Sequence, residues 1–284
     1  MSDTVEPMVH EDALPGSEAK LEPKPDWQPR YPGSGRLQDK VAIVTGADSG
    51  IGRAVAALYA REGADIAISY LCEHEDAEET KRIVEAEGRR AILIPGDLGD
   101  KAFCDGLVQR VVDTFGRLDV LVNNAGEQHP DEDIRDITDE QLRRTFQTNI
   151  FAMFYLVQAA RAHLKSGASI INCTSVTMYK GSEKLLDYSA TKGAITAFTR
   201  SLSANLAKDG IRVNAVCPGS VRTPMLARVV GREPGIDKKL RAAHPMGRFA
   251  EPGEIADAVL WLCSGSSSFV TGHQLAVDGG FTAI

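Results

Sequence analysis

The chain has 284 residues, 43% hydrophobic and 25% charged, which is material for a globular protein with a sizeable core. A formal net charge of −7 argues against nucleic acid or an anionic membrane surface as the main partner. No uninterrupted apolar run approaches the ~18–20 residues needed to cross a bilayer, so no membrane role is expected.

Residues 1–36 hold six of the thirteen prolines, mix charges and show no sustained periodicity, which predicts a largely irregular N-terminal extension. Its opening, MSDTVEPMVHEDALPG, is acidic, lacks the apolar stretch of a secretory signal and is not Arg-rich, so the cytoplasm is the expected compartment. Trp27 and Tyr31 in its second half are positioned to pin it onto a folded surface. From residue 40 the texture changes. Short β-type runs at 41–44, 66–68, 91–94, 120–122, 169–172, 211–216 and 275–277 alternate with helical periodicity over 51–62, 76–87, 101–115, 139–164, 187–208 and 253–264. Several of the runs are apolar without alternation, as strands covered on both faces are. The pattern predicts an α/β fold with a doubly wound parallel sheet of seven strands, in one domain over 37–284.

Cys72, Cys104, Cys173, Cys217 and Cys263 are far apart and form no CxxC pair, which reads as reduced structural thiols. The six histidines show no ligand spacing, so no metal is expected.

The first strand runs into Thr45-Gly46-Ala47-Asp48-Ser49-Gly50-Ile51-Gly52, and a helix follows from Arg53. Glycines at a first strand-to-helix junction let the chain turn tightly and bring backbone N–H groups to a pyrophosphate, with the helix N-terminus facing the anion. The spacing Gly46-x-x-x-Gly50-x-Gly52 after a threonine, with Asp97, Asn123-Asn124-Ala125-Gly126 and Pro218-Gly219 at later strand ends, resembles the classical short-chain dehydrogenase/reductase family over 37–284. That resemblance implies a single-domain Rossmann-type sheet and a bound NAD or NADP. It implies that Gly46, Asp48, Ser49, Gly50, Ile51 and Gly52 meet the cofactor, with Tyr70, Asp97 and Leu98 at its adenine end. Asn124, Ala125 and Gly126 would line it, and Pro218, Gly219, Val221 and Thr223 would lie on the nicotinamide side, with Tyr188 and Lys192. A branch of the family with a proline-rich extension, acting on sugars, polyols or aldehydes, is the nearest in character. A homotetramer is the family's expected assembly.

Tyr188-Ser-Ala-Thr-Lys192 opens a helical segment, so phenol and ammonium lie one turn apart on one face. A phenol of reference pKa near ~10 is a poor base at neutral pH, and an adjacent ammonium stabilises the phenolate. Ser175, at the end of the preceding strand, is placed to donate to a substrate carbonyl oxygen. Asn149 matches the family's fourth catalytic residue, which implies a water chain behind the lysine. The expected activity is alcohol–carbonyl interconversion on a small molecule by hydride transfer, with Tyr188 as general acid/base.

An enoyl reductase is disfavoured, because members of that branch usually space tyrosine and lysine six residues apart and here the gap is four. A non-catalytic nucleotide-binding redox-sensing module is the rival from another class, but such proteins tend to lose the tyrosine or lysine. Neither cofactor signature stands out. Tyr70 occupies the position where NAD users carry an acid, Ser49 the position often basic in NADP users, and Arg53 is within possible reach of a phosphate. Substrate specificity is expected in 219–250, which breaks the strand-helix rhythm as a closing lid does and contains Met225, Leu226, Pro234 and His244. Glu127-Gln128-His129 reads as either polar substrate contacts or an exposed loop, and Tyr179 as a pocket or packing residue.

Overall fold

The computed structural model describes residues 16–232 and 235–283, so the first fifteen residues of the extension and Pro234 of the lid segment lie outside the described residues. Seven strands form one parallel sheet: β1 (Val41–Thr45), β2 (Asp65–Tyr70), β3 (Ala91–Pro95), β4 (Val120–Asn123), β5 (Ser169–Cys173), β6 (Arg212–Pro218) and β7 (Gln274–Val277). Their order is β3-β2-β1-β4-β5-β6-β7. The order reverses beside β1, which opens a crevice at the carboxyl ends of β1 and β4. β1, β2, β4 and β5 are buried along their whole length, which accounts for the non-alternating apolar runs at their centres.

Helices cover both faces. On one lie α1 (Gly50–Arg61), α2 (His74–Ala86) and α10 (Pro252–Cys263); on the other lie α3 (Lys101–Phe115), α5 (Ala152–Ala160) and α7 (Leu186–Leu206). Alanines at 54, 56, 57 and 60 let α1 pack closely between the sheet and α10. α3 is capped by the Asp100 carboxylate, which accepts from the Ala102 amide at 2.8 Å, and ends at left-handed Gly116 (φ 78°).

The structure departs from the periodicity in two places. The predicted helix 139–164 is divided into α4 (Asp139–Phe146) and α5 by a π-helical turn, Gln147–Phe151. The segment after β6 is more regular than its glycines and prolines suggest, forming α8 (Pro224–Arg232) and α9 (Ile236–Ala242); a short α6 (Thr177–Lys180) follows β5.

Within the extension, residues 16–36 contain one 3-10 turn, Glu18–Lys20, and otherwise neither helix nor strand. Leu21 is buried and Trp27 packs against the core, but Tyr31 is 72% exposed and only its carbonyl is used, accepting from Arg61. Glu62, 1% exposed at the end of α1, ties the extension down by accepting from the Ser34 and Arg36 amides and the Arg36 guanidinium. No helix among the described residues is long and apolar enough to cross a membrane.

Candidate active site

The glycine turn between β1 and α1 requires its glycines. Gly46 (φ 61°) and Gly50 (φ 52°) are left-handed, and a Cβ at Gly52 would lie 1.9 Å from the Gly46 carbonyl oxygen. Thr45 and Asn124 lock this turn to the end of β4. The Thr45 hydroxyl accepts from the Asn124 and Ala125 amides at 2.9 and 3.0 Å, and the Asn124 side chain donates to the Thr45 and Gly46 carbonyls. Arg53 is not available to a phosphate. It is 5% exposed, and its guanidinium donates to the Asp48 carbonyl, the Thr80 hydroxyl, the Asp76 carbonyl and carboxylate, and Glu18. Burial pushes the Asp48 carboxyl up to about 6.

Tyr70, at the tip of β2, is buried and its hydroxyl is 2.9 Å from His74 Nδ1. Asp97 accepts from the Gly99 amide and from Arg144 of α4. Burial works against ionisation of Asp97, yet these donors outweigh it and hold the carboxyl below its ordinary value. Arg144 also contacts Glu127 at 3.3 Å, so one cation bridges the ends of β3 and β4. Nothing in the sequence pattern singled out Arg144; its partners are distant in the chain.

At the other end of the crevice, Tyr188 and Lys192 stand one turn apart in α7, 8% and 3% exposed, with Lys192 Nζ 5.1 Å from the Tyr188 ring centre. Nζ donates to the Cys173 carbonyl at the end of β5 (2.9 Å), two residues before Ser175. The Ser175 hydroxyl oxygen accepts from the Thr177 amide, leaving its proton free to point elsewhere. Asn149 sits in the π turn, fully buried. Its Oδ1 accepts from the Glu127 amide (2.9 Å), while Nδ2 donates to the Glu127 carbonyl (3.0 Å) and the Thr191 hydroxyl (3.1 Å). A Cβ on Gly126 would lie 3.3 Å from Asn149 Oδ1 and 3.7 Å from Lys192 Nζ, so the glycine brings the backbone close to both side chains.

These features share one cavity of roughly 1090 Å³, running from Tyr70 and Asp97 past the glycine turn to Ser175, Tyr188 and Lys192. The size and elongated lining suit a dinucleotide plus a small substrate. Of the residues expected at the site, Gly52 and Asn149 stand behind the wall and the others line it. Met225 and Leu226 of α8 and Leu240 of α9 roof it. His244 is an anchor and not a lining residue: Nδ1 donates to the Leu240 carbonyl and Nε2 accepts from the Ser220 amide. Glu127 is buried and Gln128 lines the cavity, whereas Tyr179 is 52% exposed and outside it. Among the described residues no cluster of His, Cys, Asp and Glu could hold a metal ion.

Comparison with known proteins gives the same frame. The family described as Enoyl-(Acyl carrier protein) reductase matches residues 46–282. The chain is 51% identical over 276 residues to an uncharacterized oxidoreductase, YhdF, of Bacillus subtilis, covering 95% of this chain and 93% of the relative. It is 45% identical over 282 residues to glucose and ribitol dehydrogenase homolog 2 of Arabidopsis thaliana, covering 96% of each. A crystal structure of a short chain dehydrogenase from Burkholderia cenocepacia in complex with NADP superposes with a TM-score of 0.82 at 33% identity, covering 87% of this chain and 99% of that one.

Proposed function

The chain belongs to the short-chain dehydrogenase/reductase family and is an NAD(P)-dependent oxidoreductase, and on that premise we propose that it interconverts an alcohol and a carbonyl compound with Tyr188 as general acid and base. The observation that carries this reading is that Ser175, Tyr188 and Lys192 line the same cavity as the glycine turn. A nicotinamide cofactor held by the glycine turn and Lys192 would provide the hydride chemistry. Ser175 donates to the carbonyl oxygen and fixes its position, and Tyr188 delivers a proton to that oxygen from its hydroxyl in the reductive direction. In the oxidative direction the same oxygen of Tyr188 takes the alcohol proton. Lys192, one turn along, stabilises the phenolate that results and would hold the cofactor ribose. Asn149 fixes the β4–α7 corner from which a water chain resupplies the lysine.

Glu127, Gln128 and Lys184 add polar groups to the cavity lining. Together with the name of the plant relative, that lining supports a sugar, polyol or aldehyde as substrate. The exposed Phe151 and Phe154, the latter 4.3 Å from the Phe198 ring, offer an apolar face for a homotetramer. The buried free thiols suit the cytoplasm. The deciding experiment is a panel of aldehydes, ketones, sugars and polyols assayed with NADH and NADPH and, in reverse, with the oxidised cofactors. Turnover of a carbonyl or alcohol supports the reading. Turnover of an enoyl thioester alone would replace it with the chemistry named in the matched family's description.

A further inference from the structure

The extension reaches the cofactor site itself. Glu18, 2% exposed, places one carboxylate oxygen on the Gly50 amide and the other on Arg53 Nη1, both at 2.5 Å, and its own amide donates to Asp76 at 2.9 Å. The 3-10 turn closes with the Leu21 amide donating to the Glu18 carbonyl at 3.1 Å. Leu21, fully buried, packs against Ala227 of α8, the helix that roofs the substrate end. The glycine turn also approaches the residue just before α8 directly, since a Cβ on Gly50 would lie 2.9 Å from Thr223 Cγ2. Farther along, Asp26 accepts from the Gly253 amide and donates to Glu251, which also holds Arg222 just before α8.

We propose that residues 16–26 act as a strap of the active site, in which Glu18 is a positioning residue for the phosphate-binding turn and Leu21 for the roof helix α8, so that dinucleotide binding and roof position are coupled through the extension. The proposal rests on the reading of the glycine turn as the cofactor cradle. Its physical basis is that one short turn of chain satisfies a helix-terminal amide and a buried guanidinium with one residue and plugs a roof helix with another. A cofactor that settles into the turn therefore acts on α8 through a rigid link as well as through direct contact.

The experiment uses the full chain, titrated with NADPH and NADH by nicotinamide fluorescence and followed by hydrogen exchange. In the wild type, cofactor should slow exchange over 16–22 and 224–231 together. Glu18→Gln should weaken cofactor binding roughly 5-fold or more. Leu21→Ala, which leaves every Glu18 contact in place, should reduce the cofactor-induced protection of α8. A purely structural role would lower the melting temperature of both variants but leave that protection intact. Wild-type affinity in Glu18→Gln, or full protection of α8 with 16–22 unchanged, overturns the strap. If Glu18→Gln does not fold, the wild-type exchange pattern and Leu21→Ala decide the matter. A wild type that binds neither dinucleotide overturns the cofactor-site reading instead, a result distinct from either.

Discussion

At Gly52 there is no room for a side chain, because the obstacle is the backbone carbonyl of Gly46 and not a flexible neighbour. Gly52→Ala should therefore force the turn open, abolishing measurable NADPH binding and costing on the order of 1–3 kcal/mol of stability. Isothermal titration and chemical denaturation check the two effects. Asn149 makes a different demand. Alanine there strands the Glu127 amide and carbonyl inside the protein, at about 1–3 kcal/mol for each unsatisfied group. Asn149→Ala should lower the melting temperature by several degrees and reduce turnover, and a variant as stable as the wild type would contradict the assigned bonding. Which residues were legible follows from locality. Gly46, Gly50, Tyr188 and Lys192 announce themselves because the motifs that mark them, Gly46-x-x-x-Gly50-x-Gly52 and Tyr188-x-x-x-Lys192, are each complete within two turns of chain. Arg144 and Glu18 do not, since their contacts span 47 and 32 residues to Asp97 and Gly50.

Among the elements, the central strands and the long helices were readable because they bury contiguous apolar faces, so burial and sequence pattern coincide. The π turn was not. Widening a helix over Gln147–Phe151 changes the side-chain period too little, over too few residues, to alter the hydrophobic pattern. α8 and α9 were hidden for the opposite reason, their glycines and prolines flanking short helices that pack on a roof and not in the core. The extension shows how an irregular element is held. Burial opposes ionisation of Glu62, but hydrogen bonds from Arg36 and Ser34 outweigh it and bring the carboxyl from its ordinary 4.5 down to about 2. A carboxyl lowered on folding contributes stability that is complete above about 4.5 and is lost as pH falls toward 2. Glu62→Gln should therefore be less stable than the wild type near neutrality, and the difference should shrink on acidification through that window. Denaturant midpoints measured across the acid range test it, and a constant difference would contradict it.

For the molecule as a whole, the order β3-β2-β1-β4-β5-β6-β7 puts the carboxyl ends of β1, β4 and β5 side by side. That arrangement brings the glycine turn into one crevice with Ser175 and Tyr188, the hydroxyl and proton donor proposed above, although the turn lies more than a hundred residues before either in the chain. The sheet and its crevice follow from the strand-helix alternation. The substrate does not, because the α8–α9 segment over the cavity mixes apolar and charged side chains that point to no one ligand.

The measurement that bears most directly on this account compares Tyr188→Phe with the wild type in two assays, NADPH binding by fluorescence and turnover by the near-ultraviolet absorbance of the reduced nicotinamide. Binding should be unchanged and turnover reduced roughly 10²–10⁴-fold or more. A variant that binds the cofactor and keeps wild-type turnover would contradict it.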